Sequence, residues 1–476
     1  MEKLFKIKER GSDIKTEIIA GLTTFFAMAY IIFVNPAQVA AGGANGWLVE
    51  LGADAAIMGQ IWNAVFIASI LAAVIGTFLM AFYANLPFAQ ACGMGLNSFF
   101  CTVFVAGAFF GGADVLEGYH AGIVIIFISG LVFLVLSLTG AREYVAKAMP
   151  DCLKKAIPAG IGMFIALIGF KNAGIIQDNM YTFVQFVNIK DGDWVTQVAP
   201  ALVGLLGFII IAILAKLNVK GAVLIGIGTS TVLFYIFTGS TPTFDLGHIS
   251  QSFNDFKEVG ISAIFNPESW STAFSSEFLG GIFSIIILII TFCLVDMFDT
   301  IGTLYGTASQ ANMLDENGDP QDVDKAMLCD SVATVSGAIL GTSTCTTFVE
   351  SSAGVGAGGR TGFSSLITGT CFLLCLFISP LANIIPGCAT APALIWVGVL
   401  MLKGFGKVDM NDVRSAVPAF LTLFMMPFTY SIANGIGIGA ISYVLITLCT
   451  GKYTKKDIVV TIIAILFVFK FVFVSM

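Results

Sequence analysis

The feature that most constrains this chain is a long succession of apolar segments, most of them near the length that crosses a lipid bilayer. A transmembrane helix needs about 20 predominantly apolar residues. Of the 476 residues, 57% are hydrophobic and only 11% are charged, which excludes a soluble globular protein and predicts an all-α polytopic membrane protein. The segments fall at 17–41, 61–83, 93–111, 120–139, 156–171, 198–216, 219–238, 278–306, 326–340, 348–358, 363–384, 389–405, 415–432, 434–450 and 457–475.

The first fourteen segments form two sets of seven, separated by the polar stretch 239–276. An odd number of crossings gives the two halves opposite orientations, as in inverted-repeat transporters that bind substrate near the membrane midplane. With the N-terminus in the cytoplasm, 19 of the 23 Lys and Arg residues fall in cytoplasmic connections, as the positive-inside rule requires. The sequence therefore predicts fourteen crossings before residue 451, and it leaves open whether 457–475 spans or lies at the interface.

The stretch 341–363 interrupts the second set with six Gly and five Thr, and Glu350 stands in its middle. Glycine weakens a helix, and irregular backbone at membrane depth is tolerated only where protein or a watery cavity covers it. The counterpart in the first set is LPFAQACGMGLNSFF, at 86–100. We expect 86–92 and 343–348 to be extended neighbours, followed by short helices that start near Gly93 and Glu350. A polar loop outside the membrane is the alternative.

Three acidic residues stand out within the apolar segments: Asp296, Asp299 and Glu350. A charge at membrane depth is costly and usually marks a substrate or ion pathway. Asp296 and Asp299 are three residues apart, so on a helix they share roughly one face. No Lys or Arg lies in the neighbouring segments to balance them, so one of the pair can carry a proton. The alternative role for either residue is helix capping or an interhelical hydrogen bond. Asp330 (in AMLCDSVATVSGA) is ambiguous, and its alternative role is at a helix terminus or in packing.

Asn97 and two phenylalanines are the other candidate site residues. The Asn97 amide can both donate and accept hydrogen bonds, which suits the edge of a planar heterocycle. Phe348, beside Glu350, and Phe25, in GLTTFFAMAYIIFVNP, can offer a ring face to an aromatic ligand. Packing within the protein is the alternative for all three.

Other classes of function lack support in the sequence. The ten cysteines are scattered without metal-ligand spacing, so they are expected to be reduced, and no metal or cofactor is expected. The sequence contains no recognisable nucleophile–base pair, so an enzyme is not expected. The net charge of −7 does not suggest a nucleic-acid partner. The charged N-terminus lacks the apolar core of a removable signal peptide, so none is expected.

Four stretches together resemble the AzgA-like purine permeases, a branch of the nucleobase–cation symporters: GLTTFFAMAYI (21–31), GMGLNSFF (93–100), DMFDTIGTLYG (296–306) and TTFVESSAGVGAGGRTGFSS (346–365). The resemblance implies the 7+7 inverted-repeat fold of the bacterial uracil transporter, with short strands in segments 3 and 10 and dimerisation through a gate domain. It also implies a core domain, 17–140 and 278–384, and a gate domain, 150–238 and 388–475, the last including the C-terminal segment.

The resemblance further implies roles for individual residues. The family's binding carboxylates fall on Glu350 and Asp299, and its segment 3 asparagine falls on Asn97. Relatives that carry uracil or xanthine have His or Asp four residues after the Asp299 position, where this chain has Thr303. This difference leaves Asp299, with Asp296, as the expected site of proton coupling.

Two functions remain at this stage. The first is a plasma-membrane symporter that imports adenine, guanine or hypoxanthine with protons. The second is an anion transporter or exchanger of the related sulfate/bicarbonate architecture, in which half-helix dipoles hold the anion. The carboxylates Glu350 and Asp299 disfavour the second, because a negative charge in the site repels an anion.

Overall fold

The computed structural model describes residues 2–140, 149–242, 244–275, 281–311, 313, 322–382 and 384–473. Within these residues, nine helical stretches are long and apolar enough to cross a membrane, and four shorter apolar helices accompany them. Aspartates begin several of them: Asp54 and Asp114 each accept a hydrogen bond from the backbone N–H two residues further on. These bonds satisfy backbone groups that a helix start leaves free.

The first half contains three of the four strands in the described residues. Its helices are α1 (Glu2–Phe5), α2 (Ile14–Met28), α3 (Ile31–Val39), α4 (Trp47–Glu50), α5 (Ala55–Leu79), α6 (Met94–Phe100), α7 (Ala106–Gly111), α8 (Val115–Thr139), α9 (Asp151–Asn172), α10 (Ala199–Lys216) and α11 (Ala222–Thr238). Short π-helical turns, Met80–Ala84, Cys101–Val105 and Trp194–Val198, extend α5, join α6 to α7 and precede α10. Strand β1 is Gln90–Cys92, and β2 (Ile176–Asn179) pairs with β3 (Phe183–Phe186).

The second half follows a small helical region, α12 (Gly247–Asp255), α13 (Ser262–Phe265) and α14 (Pro267–Ala273). Strand β4 is Cys345–Thr347. The remaining helices are α15 (Ile282–Ala311), α16 (Val323–Leu340), α17 (Ser351–Gly356), α18 (Gly362–Leu374), α19 (Ser379–Ala382), α20 (Gly387–Met401), α21 (Val413–Phe428), α22 (Ile432–Cys449) and α23 (Ile458–Phe473).

The predicted apolar segments all coincide with helices, but three local features differ from the prediction. Segment 17–41 is broken at Ala29 and Tyr30 into α2 and α3. The polar stretch 239–276 contains α12, α13 and α14. The connection after α9 forms the β2–β3 hairpin, whose tip exposes Met180, Tyr181 and Phe183 almost completely. Helix α23 packs on α22 and α15. Its 16 residues are fewer than the about 20 that a transmembrane helix needs.

Strands β1 and β4 pair antiparallel, with Gln90 opposite Thr347 and Cys92 opposite Cys345. The pairing continues at both ends, because Gly93 N–H donates to the Thr344 carbonyl at 2.9 Å and Phe348 N–H donates to the Ala89 carbonyl at 3.0 Å. Helix α6 begins directly after Gly93, and α17 begins directly after Glu350. The prediction of paired extended stretches followed by short helices is confirmed.

The helices pack in two groups. In one, α9 packs on α20 and α21, α10 packs on α11 and α20, and α21 packs on α22. In the other, α2 packs on α17 and α18, α5 packs on α3, α16 and α18, and α8 packs on α15 and α16. Each group combines helices from both halves of the chain.

The contact between α9 and α20 depends on two glycines. A Cβ atom at Gly398 would lie 2.6 Å from the Gly162 carbonyl oxygen, and one at Gly162 would lie 2.7 Å from the Met401 Cβ. Small residues of this kind let helix backbones approach closely in membranes. Each of these helices also contains an internal proline, Pro158 in α9 and Pro392 in α20.

The strand register can be tested with native cysteines, because the Cys92 and Cys345 Sγ atoms lie 3.8 Å apart. In a chain whose other eight cysteines are replaced, a membrane-permeant oxidant should join residues 92 and 345, as detected by peptide mass spectrometry. A matched chain that keeps Cys92 with Cys329 should give no link. Equal linking of both pairs, or no link between 92 and 345, would contradict the register.

Candidate functional site

Glu350 precedes the first turn of α17 and is partly exposed. Its Oε1 accepts a hydrogen bond of 2.6 Å from the Tyr30 hydroxyl, and Tyr30 is completely buried. No Lys or Arg in the described part of the chain forms an ion pair with Glu350. A neutral donor therefore orients this carboxylate without cancelling its charge.

Asp299, on α15, is also partly exposed and lies within electrostatic range of Glu350. None of the described residues donates a hydrogen bond to its carboxylate, although Thr303 donates to its backbone carbonyl at 3.1 Å. Helix α15 packs directly on α17, which brings these two predicted site residues together. Two carboxylates in an apolar surrounding, with no cation beside them, form a site that favours a proton or a hydrogen-bond donor.

Asp296, one turn before Asp299, is buried. Its Oδ2 accepts a hydrogen bond of 2.8 Å from Thr334 on α16, while its Oδ1 has no partner among the described residues. Asp296 and Asp299 interact electrostatically. The two acids therefore differ in environment. Asp296 is buried and hydrogen-bonded to α16, whereas Asp299 is partly exposed and its carboxylate has no hydrogen-bond donor among the described residues.

Asn97 lies in the first helical turn after β1 and is completely buried. Its amide nitrogen donates to Asn35 Oδ1, and its amide oxygen accepts from the Ser343 hydroxyl. Both ends of the amide thus have protein partners, and the side chain has no exposed surface through which to contact a ligand in this structure. The residue ties α3, α6 and the approach to β4.

The two phenylalanines of the prediction differ in their surroundings. Phe348 is buried, 4% exposed, and lies two residues before Glu350, directly after β4. Phe25 is half-buried on α2, and its ring makes an edge-to-face contact with Phe372 of α18 at 5.3 Å between centroids. Phe348 is thus close to Glu350 along the chain, and the ring of Phe25 packs on α18.

Other polar residues that support the site were not assigned such roles from the sequence. Tyr30 contacts a residue 320 positions away, which no local pattern reports. Asp330, completely buried on α16, accepts hydrogen bonds from the Gln90 amide, at 3.1 Å, and from Thr300. It therefore joins β1 to α15 and α16 by hydrogen bonds, whereas the sequence left a helix-terminus or packing role open for it.

The C-terminal end of α17 is held by charged groups. The Arg360 guanidinium donates to the carbonyls of Val355 and Gly359, at 2.8 and 2.7 Å. The buried Glu17 carboxylate accepts from the backbone N–H groups of Arg360, at 2.9 Å, and Ser364, at 3.2 Å. These bonds satisfy the carbonyls that end α17 and the N–H groups that begin α18.

A cavity of about 1220 Å³ opens between the two helix groups, at the end of the molecule where α3 and α9 finish. The residues that line it include Phe33, Trp62 and Lys171, but not Glu350 or Asp299. The Lys171 ammonium lies over the rings of Trp47, at 4.4 Å, and Tyr430, at 5.4 Å. Lys171 belongs to one helix group and Trp47 to the connection that leads into the other.

Within the described residues, no group of three His, Cys, Asp or Glu side chains is placed to hold a metal ion.

Comparison with known proteins gives a family. Residues 15–438 match the family described as the permease family (Xan_ur_permease). The chain belongs to this permease family. It is 40% identical to the guanine/hypoxanthine permease PbuG of Bacillus subtilis, over 100% of both chains. It is 38% identical to the adenine permease AdeP of Escherichia coli, over 100% of this chain and 96% of that one.

Solved structures share the fold at low sequence identity. The transmembrane domain of the cyanobacterial bicarbonate transporter BicA matches with a TM-score of 0.60 at 13% identity, covering 88% of this chain and 97% of that one. The murine anion transporter Slc26a9, in the inward-facing state, matches with a TM-score of 0.57 at 13% identity, covering 92% and 69%. With the paired strands from the third segment of each half, this likeness establishes the 7+7 inverted-repeat fold. The permease is therefore a multi-pass membrane protein, and the family resemblance found in the sequence is confirmed.

Proposed function

We propose that this permease is a secondary active transporter of the plasma membrane that imports purine nucleobases, namely adenine, guanine or hypoxanthine, by proton symport. The observation that carries the proposal is the pair of partly exposed carboxylates, Glu350 and Asp299, next to the crossing of two interrupted segments. A purine is a planar, neutral ring system with N–H donors on its edge. A carboxylate accepts such donors in charge-assisted hydrogen bonds.

In this proposal the base lies between the first turns of α6 and α17. Glu350 accepts the N–H groups of the base, Phe348 offers its ring, and Asn97 holds the facing turn of α6. Phe25 is a more distant contributor, since its ring packs on Phe372. Relatives named as adenine and as guanine/hypoxanthine permeases, 38% and 40% identical over the whole chain, support purines as the substrate class.

Proton coupling is assigned to Asp299, with Asp296 as the second group. Protonation of Asp299 removes the repulsion between its charge and that of Glu350, so a proton and a base at Glu350 favour each other's binding. A proton moving down the membrane potential contributes about 2.3 kcal/mol per 100 mV. This contribution can drive accumulation of a neutral base.

We further propose that the two helix groups act as a core domain, 17–140 and 278–384, and a gate domain, 150–238 and 388–475, and that the gate domain carries a homodimer contact. The two groups meet at both ends of the molecule. At one end Lys171 covers the Trp47 ring, and at the other the Lys220 ammonium donates to the Thr23 hydroxyl at 3.0 Å. The excess of Lys and Arg on one side supports a cytoplasmic N-terminus.

An anion transporter is the second candidate, because the solved structures that share the fold are a bicarbonate transporter and an anion transporter. That likeness rests on 13% identity and carries the fold alone. The purine proposal is tested by uptake of labelled adenine, guanine, hypoxanthine, uracil and sulfate into cells that lack their own purine uptake. Purine uptake that a protonophore abolishes supports it. Sulfate uptake without purine uptake would overturn it.

Glu350→Gln should weaken purine binding by about 1.5–3 kcal/mol, the range for a hydrogen bond to a charged group. The amide keeps one acceptor oxygen but loses the charge and the second acceptor. Equilibrium binding of labelled purine to purified protein measures the loss. Glu117→Gln, at an exposed carboxylate in the first turn of α8, is the matched control and should bind as the wild type does. Unchanged binding in well-folded Glu350→Gln would remove Glu350 from the site.

Asp299→Asn should leave purine binding within a few-fold of the wild type but abolish accumulation against a gradient, because the amide imitates a permanently protonated carboxyl. Its exchange of purine across proteoliposome membranes should lose its dependence on pH. Asp296→Asn, one turn away, provides the comparison. Accumulation by Asp299→Asn that still depends on the proton gradient would place the coupling proton elsewhere.

A further inference from the structure

The first transmembrane segment is broken, and the break carries a residue that contacts the proposed binding carboxylate. Helix α2 ends at Met28, α3 begins at Ile31, and Tyr30 lies between them. Its side chain is completely buried, and its hydroxyl donates to Glu350 Oε1 at 2.6 Å. Among the described residues no other side chain bonds to this carboxylate.

Helix α3, which follows the break, also contacts α6 and the residues just before β4. Asn35 on α3 is completely buried; its amide nitrogen donates to Ser69 and, at 3.2 Å, to Thr342, and its amide oxygen accepts from Asn97. Gln38, further along α3, donates to Ser98 at 2.9 Å. One nine-residue helix and the residue before it thus bond to α6, to the approach to β4 and to Glu350.

We propose that Tyr30 is a positioning residue that sets the orientation of Glu350 for substrate, and that α3 fixes Tyr30 relative to both half-helices. This inference rests on the proposed function, since it concerns how the same carboxylate meets its ligand. The phenol holds one carboxylate oxygen and leaves the other for an N–H group of the base. A Lys or Arg in its place would form an ion pair and reduce the charge available to the substrate.

The chemistry of the donor explains why a tyrosine suits this position. A carboxylate side chain that is free to rotate must be ordered when it binds a ligand, and that ordering weakens binding. The Tyr30 hydroxyl orders it beforehand, and a phenol brings no positive charge that would compete with the substrate for the carboxylate. Asn35 fixes the position of α3, because its hydrogen bonds to Asn97 and Thr342 hold this helix against α6 and against the residues that lead into β4.

A double-mutant cycle tests the proposal. Tyr30→Phe, which removes only the hydroxyl, should weaken binding of labelled purine to the purified full chain by on the order of tenfold, as expected for a hydrogen bond to a charged group. In the Glu350→Gln background the same change should weaken binding by less than about threefold, because Tyr30 acts through the carboxylate. An equal loss in both backgrounds, or no loss in either, would overturn the proposal.

Tyr119→Phe is the matched control. Tyr119 is also completely buried, and its hydroxyl donates to the Gly341 carbonyl, so its removal costs a buried hydrogen bond away from Glu350. This variant should lower the thermal unfolding temperature in detergent and leave purine binding within about twofold of the wild type. A loss of binding equal to that of Tyr30→Phe would show a general effect of packing and would overturn the positioning role.

Infrared difference spectroscopy separates this inference from the proposed function. The difference between the wild type and Glu350→Gln assigns the carboxylate stretching band of Glu350, and Tyr30→Phe should shift that band while Tyr119→Phe leaves it in place. If the wild type binds no purine, the proposed function fails, and the band still reports whether Tyr30 bonds to Glu350. An unshifted band in Tyr30→Phe would overturn the contact itself.

Discussion

The rest of this structure depends on one constraint: backbone N–H and C=O groups in a membrane must find partners within the protein. Segments 3 and 10 break their helices, and the breaks satisfy each other through the β1–β4 pairing and its extensions at Gly93 and Phe348. The antiparallel register brings matching interruptions of the two halves together. Because the backbone is satisfied there, two helices can begin inside the protein and hold side chains around the same point.

The acids around this crossing have different hydrogen-bond partners, and this difference distinguishes the two carboxylates of the proposed binding site from the others. Asp330 and Asp296 are buried and accept hydrogen bonds from neighbouring segments. Glu350 is held by a neutral phenol, and none of the described side chains bonds to the Asp299 carboxylate. The two partly exposed carboxylates therefore keep the capacity to bind a donor or a proton. A substrate rich in N–H groups meets that demand, whereas an anion does not.

Sequence reasoning reached the membrane class, the positions of the apolar helices, the paired strands and the carboxylates, because each leaves a local signal such as length, glycine content or a charge in an apolar run. It missed what depends on distant contacts. The break at Tyr30 lies in a segment that the sequence predicts to be one continuous helix. The residue that Tyr30 bonds to, Glu350, is 320 positions away. The closed network of Asn97 with Asn35 and Ser343 likewise joins three separate segments. The β2–β3 hairpin and helices α12 to α14 lie in polar connections, where periodicity is weak.

The most direct test of the account is a structure of the purified permease with guanine or adenine bound. We expect density for the base between the first turns of α6 and α17, with its N–H edge on the Glu350 carboxylate and Tyr30 still bonded to the other oxygen. Density for the base only in the 1220 Å³ cavity lined by Trp62 and Lys171, with Glu350 contacting only Tyr30, would contradict this binding site.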